Sequence, residues 1–334
     1  MNASAKFSVI VIGTSAGGMD ALKKLLSQFP ADFAAPILVV NHMTAAVSGE
    51  MLIVTLNNVS KLKCLYPENG QRVEAGHVYI APPDYHMLIE QGVIIITKGA
   101  RENRYRPAID PLFRSAAVAY GNRVIGIVLT GYLDDGTSGL IAIKRSGGIC
   151  VVQSPKDAAY PGMPQSALDN LKIDHCVPIS EMGSLLTKLL ARKLGSKKKI
   201  PDDIVIEAKI AQRVLSDLPA VQALGEQVPF NCPECGGVLW KMAVGKFLRY
   251  RCHTGHAFTS AALIAVQTSK IEETLWVALR MFEERKNLFT TVSKQKTGVS
   301  SKLASQRAEE STVHINRIRA MLTSSNEKMR EGVE

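Results

Sequence analysis

Short apolar runs alternate with amphipathic stretches over the first 190 or so residues. Residues 7–13 (FSVIVIG) are rich in β-branched side chains and close on a glycine, which predicts a buried strand. Met19, Leu22, Leu25, Leu26 and Phe29 then share one helical face, and Pro30 marks its end. Residues 36–40 read as a second apolar strand and 50–56 as a helix-like stretch. Strand, helix and strand at this spacing predict a βαβ unit with parallel strands covered on both faces. From His77 to Lys98 the pattern changes to two β-rich runs, HVYIAPP and HMLIEQGVIIITK. Gln91-Gly92, between apolar stretches, predicts the turn of an antiparallel hairpin. Residues 107–120 predict a helix with proline in its first turn, 124–130 a buried strand, 140–145 a helix and 149–153 a strand. The fold class that follows is α/β, a doubly wound, mostly parallel sheet ending near residue 190.

Four segments are expected: 1–192 as the α/β domain, 193–227 as a linker, 228–259 as a small Cys/His module and 260–334 as helix. In the last, Ile264, Ile271, Leu275, Phe282 and Phe289 recur at helical spacings, and after Thr297-Gly298 a second helix aligns Ile315, Ile318 and Leu322. A helical hairpin is the reading; a homo-oligomer through these helices is the alternative, and fewer than four clean heptads disfavour it. The size, 334 residues with 46% apolar side chains, suits one α/β domain plus smaller units.

Charge changes this picture little. The formal +10 is partly concentrated in Arg192, Lys193, Lys197, Lys198 and Lys199, a run broken by Gly195 and Ser196. Aromatics are 6% of the chain and none interleaves with the run, so a solvated linker is favoured over a nucleic-acid surface. No apolar stretch is long enough to span a membrane, and the N-terminus lacks the features of a secretory signal, so a cytoplasmic protein is expected.

Three strand ends carry candidate chemistry. Gly13-Thr14-Ser15-Ala16-Gly17 closes one predicted strand and opens a helix, where a nucleophile elbow sits. The amides that follow, from Ala16 on, lie at a helix N-terminus and can stabilise an oxyanion. A phosphate loop or plain βα turn gives the same string, but a dinucleotide site wants an acidic residue at the end of the second strand. That position holds Asn41-His42 instead. A serine hydroxyl needs an imidazole within hydrogen-bond reach, and His42 stands at the adjacent strand end. The third is Thr130-Gly131-Tyr132-Leu133-Asp134-Asp135-Gly136, a loop leaving the end of another strand. One of its aspartates can hold the histidine tautomer, and the residues alone leave Asp134 and Asp135 both open. The order Ser…His…Asp differs from that of the α/β-hydrolases.

Cys232-Pro-Glu-Cys235-Gly-Gly is a knuckle, followed after 16 residues by Cys252, His253 and His256. Two thiolates, a third thiolate and an imidazole are the ligand set of structural zinc. Cys232, Cys235, Cys252 and His256 are the favoured four, with His253 as the alternative fourth. Four closed ligands leave no open position for catalysis, so a docking or structural unit is expected. Cys64, Cys150 and Cys176 lie alone in apolar stretches and are read as reduced, buried thiols.

GTSAGG, VVNHM, YRPAIDPLFRSAA, VLTGYLDDGTSGL, AIKRSGGICVVQ and YPGMPQSAL, in that order, resemble the catalytic domain of the chemotaxis protein-glutamate methylesterases, the CheB family, over about residues 7–190. The resemblance implies removal of methyl groups from glutamate esters on methyl-accepting chemoreceptors with release of methanol, and in some members glutamine deamidation. It implies Ser15 as nucleophile, His42 as base and Asp135 as third member, the amides of Ala16 and Tyr132 as oxyanion contacts, and no cofactor for catalysis. Ala16 stands where the family often has serine or threonine. Tyr132, Leu133 and Asp134 stand where methionine, glycine and a polar residue are common. Six residues precede the first run, so control by an attached receiver domain is not expected. A similar cysteine-rich tail accompanies some stand-alone methylesterase-like proteins. Arg104 and Arg106 are candidates for gripping acidic receptor helices, and Gly162-Met163-Pro164 reads as a turn into a helix. A hydrolase of another ester or amide and a catalytically silent binding scaffold are the competing readings.

Overall fold

The computed structural model describes residues 8–42, 49–192, 196, 198–212, 218–244, 246–295 and 297–331. Phe7 of the first predicted strand, Met43 of the VVNHM motif, and Lys193, Gly195 and Lys197 of the basic run lie outside the described residues.

The first half follows the predicted alternation: β1 (Val9–Thr14), α1 (Gly18–Leu26), β2 (Ile37–Asn41), α2 (Gly49–Val59), β3 (Lys63–Leu65), β4 (His77–Ile80), β5 (His86–Glu90), β6 (Val93–Thr97) and α3 (Ile109–Tyr120). Then come β7 (Val124–Val128), α4 (Thr137–Arg145), β8 (Ile149–Gln153), α5 (Gly162–Asn170), β9 (His175–Val177) and α6 (Ile179–Ala191). Seven strands form one sheet in the order β3-β4-β2-β1-β7-β8-β9, every pairing parallel. Alternation along the strands divides the core. Val9 and Val11 face Leu112, Phe113 and the β5–β6 hairpin, while Ile10 and Ile12 face Leu22, Leu25 and Leu26. Burial of each such side chain stabilises by roughly 1.5–3 kcal/mol, which fixes the register and hence where each strand ends.

The hairpin is β5–β6 alone, turning at Gln91 and Gly92, both of positive φ. The run HVYIAPP instead supplies β4 to the parallel sheet. β3 and β9 were not anticipated, since three residues show no periodicity. α3 starts two residues after Pro107.

The segment 193–227, expected as a linker, carries α7 (Asp202–Gln212) and α8 (Leu218–Gln222) among its described residues. Ile204 joins the main core and Glu207 is buried. A four-stranded antiparallel sheet follows, β10 (Glu226–Asn231), β11 (Val238–Val244), β12 (Phe247–Cys252) and β13 (Ala257–Thr259), and belongs to the same compact unit, residues 1–263. α9 (Ser260–Gln295) and α10 (Val299–Glu331) provide the second unit, residues 264–334. There Leu279, Ile315, Ile318 and Leu322 pack with Leu275 and Phe282, and Arg319 pairs with Glu283 at 2.7 Å. Ile264 and Ile271, expected on the packed face, are exposed, because that face begins only at Leu275. Among the described residues no helix is long and apolar enough to cross a membrane.

Candidate active site

The sheet order puts the carboxyl ends of β2, β1 and β7 side by side, with Thr14 opposite Asn41 and Gly13 opposite both Val40 and Val128. Ser15, His42 and the loop 129–136 therefore leave the sheet at one edge, where open α/β sheets place their sites.

The Ser15 turn is held by Thr130, whose carbonyl accepts the Ser15 N–H and the Thr14 hydroxyl, both at 3.0 Å. The Thr130 hydroxyl donates to Ala16 O at 2.9 Å. Gly17, with φ 72, lets the chain turn directly into α1. A Cβ on Gly131 would strike Met163 Sδ and come within 2.8 Å of Ser15 Cβ, so only glycine allows the two loops to approach. Met163 N–H donates to Gly131 O at 2.9 Å, so the turn read at Gly162-Met163-Pro164 braces the site. Among the described residues the N–H groups of Ala16 and Tyr132 are paired with no protein acceptor.

His42 Nε2 donates to Asp135 Oδ2 at 2.8 Å, and both side chains are buried. An ionised carboxylate only accepts, so this bond commits the ring proton to Nε2 and leaves the lone pair on Nδ1. His42 Nδ1 is itself buried and without a hydrogen-bond partner. The ring stacks on Tyr105 with centroids 3.6 Å apart and planes 10° from parallel. With Nδ1 unpartnered, the Ser15 hydroxyl is not bonded to the ring; the Tyr105 phenol is its neighbour. The imidazole and the Asp135 carboxylate are thus joined, while the Ser15 hydroxyl stands apart from the ring; such contacts commonly tighten only with substrate bound.

Asp135 Oδ2 also accepts the Ile109 N–H at 2.8 Å, and its Oδ1 accepts Asn103 Nδ2 at 2.9 Å and the Gly136 N–H at 3.0 Å. Burial alone would raise this carboxyl, but the hydrogen bond and charge of His42, with the donors of Ile109 and Asn103, outweigh it and hold it below the usual range. Asp110 shares Asn103 and takes the opposite course. Burial, then the charge of Asp135, push it up to about 7 against Arg114. Asp134, adjacent in sequence, faces away and accepts the Thr259 hydroxyl at 2.8 Å. Burial raises it to about 6. The choice between the two aspartates therefore falls geometrically on Asp135. Leu133 has φ 62, a left-handed conformation that costs a residue with Cβ about 1 kcal/mol.

Arg106 is bound to Asp84 at 2.6 Å and to Gly99 O at 2.9 Å, so it fastens its own loop and is not available to grip a partner. Arg104 is exposed. Sequence reasoning missed Asn103, Tyr105, Asp110 and Thr130. Of these, Tyr105 and Asp110 lie inside the YRPAIDPLFRSAA string and Thr130 opens the loop 130–136 without a role of its own there, and the polar run before α3 was the available signal.

In the small sheet, ligand atoms of Cys232, Cys235, Cys252 and His256 lie within 4.8 Å of one another. Cys235 Sγ is 3.7 Å from Cys252 Sγ, which is 3.6 Å from His256 Nδ1. A tetrahedron with metal–sulfur bonds of about 2.3 Å has edges of about 3.8 Å, so these residues fit zinc and could hold it. His253 is not in the cluster; its ring lies against Gly237. Of the lone thiols, Cys64 and Cys150 are buried, and burial raises them to about 11 and about 12. Cys176 is exposed, because β9 is a short strand at the edge of the sheet.

Residues 10–186 match the sequence family described as CheB methylesterase. A Leptospira interrogans protein is 38% identical over 184 residues, 55% of this chain and 95% of that one. The protein-glutamate methylesterase/protein-glutamine glutaminase of Pyrococcus horikoshii is 36% identical over 183 residues, and the match spans 50% of its length. The crystal structure of the Thermotoga maritima CheB methylesterase catalytic domain superposes with a TM-score of 0.53 at 32% identity, covering 55% of this chain and 98% of that one. With its motifs at one sheet edge and these matches over more than half its length, the chain belongs to the CheB methylesterase family.

Proposed function

We propose that the chain is a serine hydrolase that removes methyl esters from glutamate residues of methyl-accepting chemoreceptors. The observation that carries this reading is the buried 2.8 Å bond from His42 Nε2 to Asp135, which leaves Nδ1 unpartnered at the strand edge bearing Ser15. Ser15 Oγ gives its proton to Nδ1 as it bonds the ester carbonyl carbon. Nε2–H stays on Asp135, whose charge stabilises the imidazolium. The amides of Ala16 and Tyr132 take the oxyanion. Collapse breaks the bond to the methoxy group, which leaves as methanol with the proton from Nδ1. A water then repeats the sequence through the same base, releasing the glutamate carboxylate and restoring Ser15. On a glutamine side chain the same steps expel ammonia, in keeping with the double designation of the Pyrococcus relative. A substrate on receptor signalling helices makes this a cytoplasmic reaction, and exposed Arg104 is suited to acidic helices. Zinc at Cys232, Cys235, Cys252 and His256 would close the small sheet without entering the chemistry. The test is methanol release from methylated receptor membranes. Ser15→Ala is expected to lower it by about 10⁴-fold or more. A variant that keeps full activity removes the reading.

A further inference from the structure

The side chain of Asn103 is fully committed between the candidate carboxylates and the Cys/His sheet. Its Nδ2 donates to Asp135 Oδ1 and Asp110 Oδ2, each at 2.9 Å, and its Oδ1 accepts the Thr259 N–H at 3.0 Å. Its backbone N–H donates to Ala257 O at 2.8 Å. Ala257 and Thr259 are the two ends of β13, the strand that follows directly on the ligand residue His256. Asn103 and Arg104 are consecutive left-handed residues, φ 50 and 78, a backbone that persists only where its surroundings over-determine it. The next residue is Tyr105, which stacks on His42 and neighbours the Ser15 hydroxyl. One loop, pinned by β13, thus touches His42 and Asp135 and runs beside Ser15.

The same junction is locked by charge. Arg251 of β12 reaches Glu102 at 2.8 Å and Glu207 of α7 at 3.2 Å. Arg249 grips both carboxylate oxygens of Glu207 at 2.8 and 2.6 Å, and Arg114 of α3 pairs with Glu102 at 2.5 Å. All five side chains are buried, so removing any one of them leaves an opposite charge in the junction without its partner.

We propose that Asn103 is a positioning residue for Asp135 and that the metal-closed Cys/His sheet, by clamping Asn103 through β13, is a working part of the active site. The proposal rests on the hydrolase reading above. It turns an expected docking or structural unit into the element that keeps the Asp135–His42 pair and the Tyr105 platform in place.

The test uses the full chain and a substrate-independent readout, the rate at which a fluorophosphonate labels Ser15. Asn103→Ala is expected to slow labelling by about 10- to 100-fold with the reagent's saturation constant unmoved, as for a small misplacement of a catalytic group. Emptying the metal site, by Cys232→Ser/Cys235→Ser or by chelating zinc from the intact protein, is expected to lose bound zinc, slow labelling by a similar factor and speed hydrogen exchange at residues 101–106. Exchange in β1 and α3 should stay slow, which separates this effect from unfolding, and the chelation arm decides the matter should Asn103→Ala not fold. Labelling within about twofold of wild type in Asn103→Ala or in the zinc-free protein, with residues 101–106 still protected and Ser15→Ala inert, would overturn the proposal. If wild type and Ser15→Ala label alike, the hydrolase reading itself fails.

Discussion

The seven-stranded sheet and the Cys/His sheet belong to one compact unit, yet they are assembled by opposite means. The first is held by alternating apolar side chains, with Val9, Ile10, Val11 and Ile12 all wholly buried. The second is seated through Arg114, Arg249, Arg251, Glu102 and Glu207, charges taken out of water and paired chiefly with one another, with Arg251 also donating to Gly255 O. Methyl burial is additive and tolerant, and it places strand ends. A buried charge cluster is worth little when intact against an apolar alternative, but costs much when one member is missing. The scaffold of the site is therefore graded in its response to damage, whereas the element that braces it is close to all-or-none.

Four variants break or sharpen that contrast. The largest effect is expected for Arg251→Met, which leaves Glu102 and Glu207 short of a partner and should cost about 3–5 kcal/mol in denaturant unfolding. A loss below about 1 kcal/mol would show that the seam does not depend on its charges. Ile12→Ala should cost about 2–5 kcal/mol, yet leave the turnover of the folded fraction unchanged, because its neighbours Leu22, Leu25 and Leu26 touch no reacting group.

A third test uses pH. Asp110 is raised from 3.8 to about 7, by burial first and then by Asp135, so the folded protein keeps a proton that the unfolded chain has released. Its contribution to stability is full below about pH 4 and lost as pH rises through about 7. Asp110→Asn should accordingly flatten the fall in Tm across that window relative to wild type. Parallel Tm curves would place the proton elsewhere. The smallest effect is expected for Leu133→Gly, which relieves the left-handed backbone at φ 62 and should stabilise by up to about 1 kcal/mol in thermal unfolding. A destabilised variant would mean that the leucine side chain contributes more than its backbone costs.

Much of this was readable from the chain. Each of the three site loops follows an apolar run ending at Thr14, Asn41 or Val128, and hydrophobic patterning reports such runs well. The Cys/His cluster that could hold a metal was legible because ligand spacing on a knuckle is local. The bracing was not. Asn103 finds Asp135 32 positions away and Thr259 156 positions away, and no periodicity encodes a pairing at that distance. α7 was read as linker because its inward face carries Glu207, a charge that apolar patterning assigns to solvent. Arg106 looked like a free surface cation for the same reason, its partner Asp84 lying 22 residues back. Asp134 and Asp135 are neighbours in sequence, and only the turn between β7 and α4 sends one to Thr259 and the other to His42.

Nitrogen NMR of His42 in the neutral enzyme tests the proposed proton path most directly. The expected result is a proton on Nε2, held by Asp135, and a lone pair on Nδ1, with that preference lost in Asp135→Asn. A proton found on Nδ1 would leave Ser15 with no acceptor and contradict the mechanism.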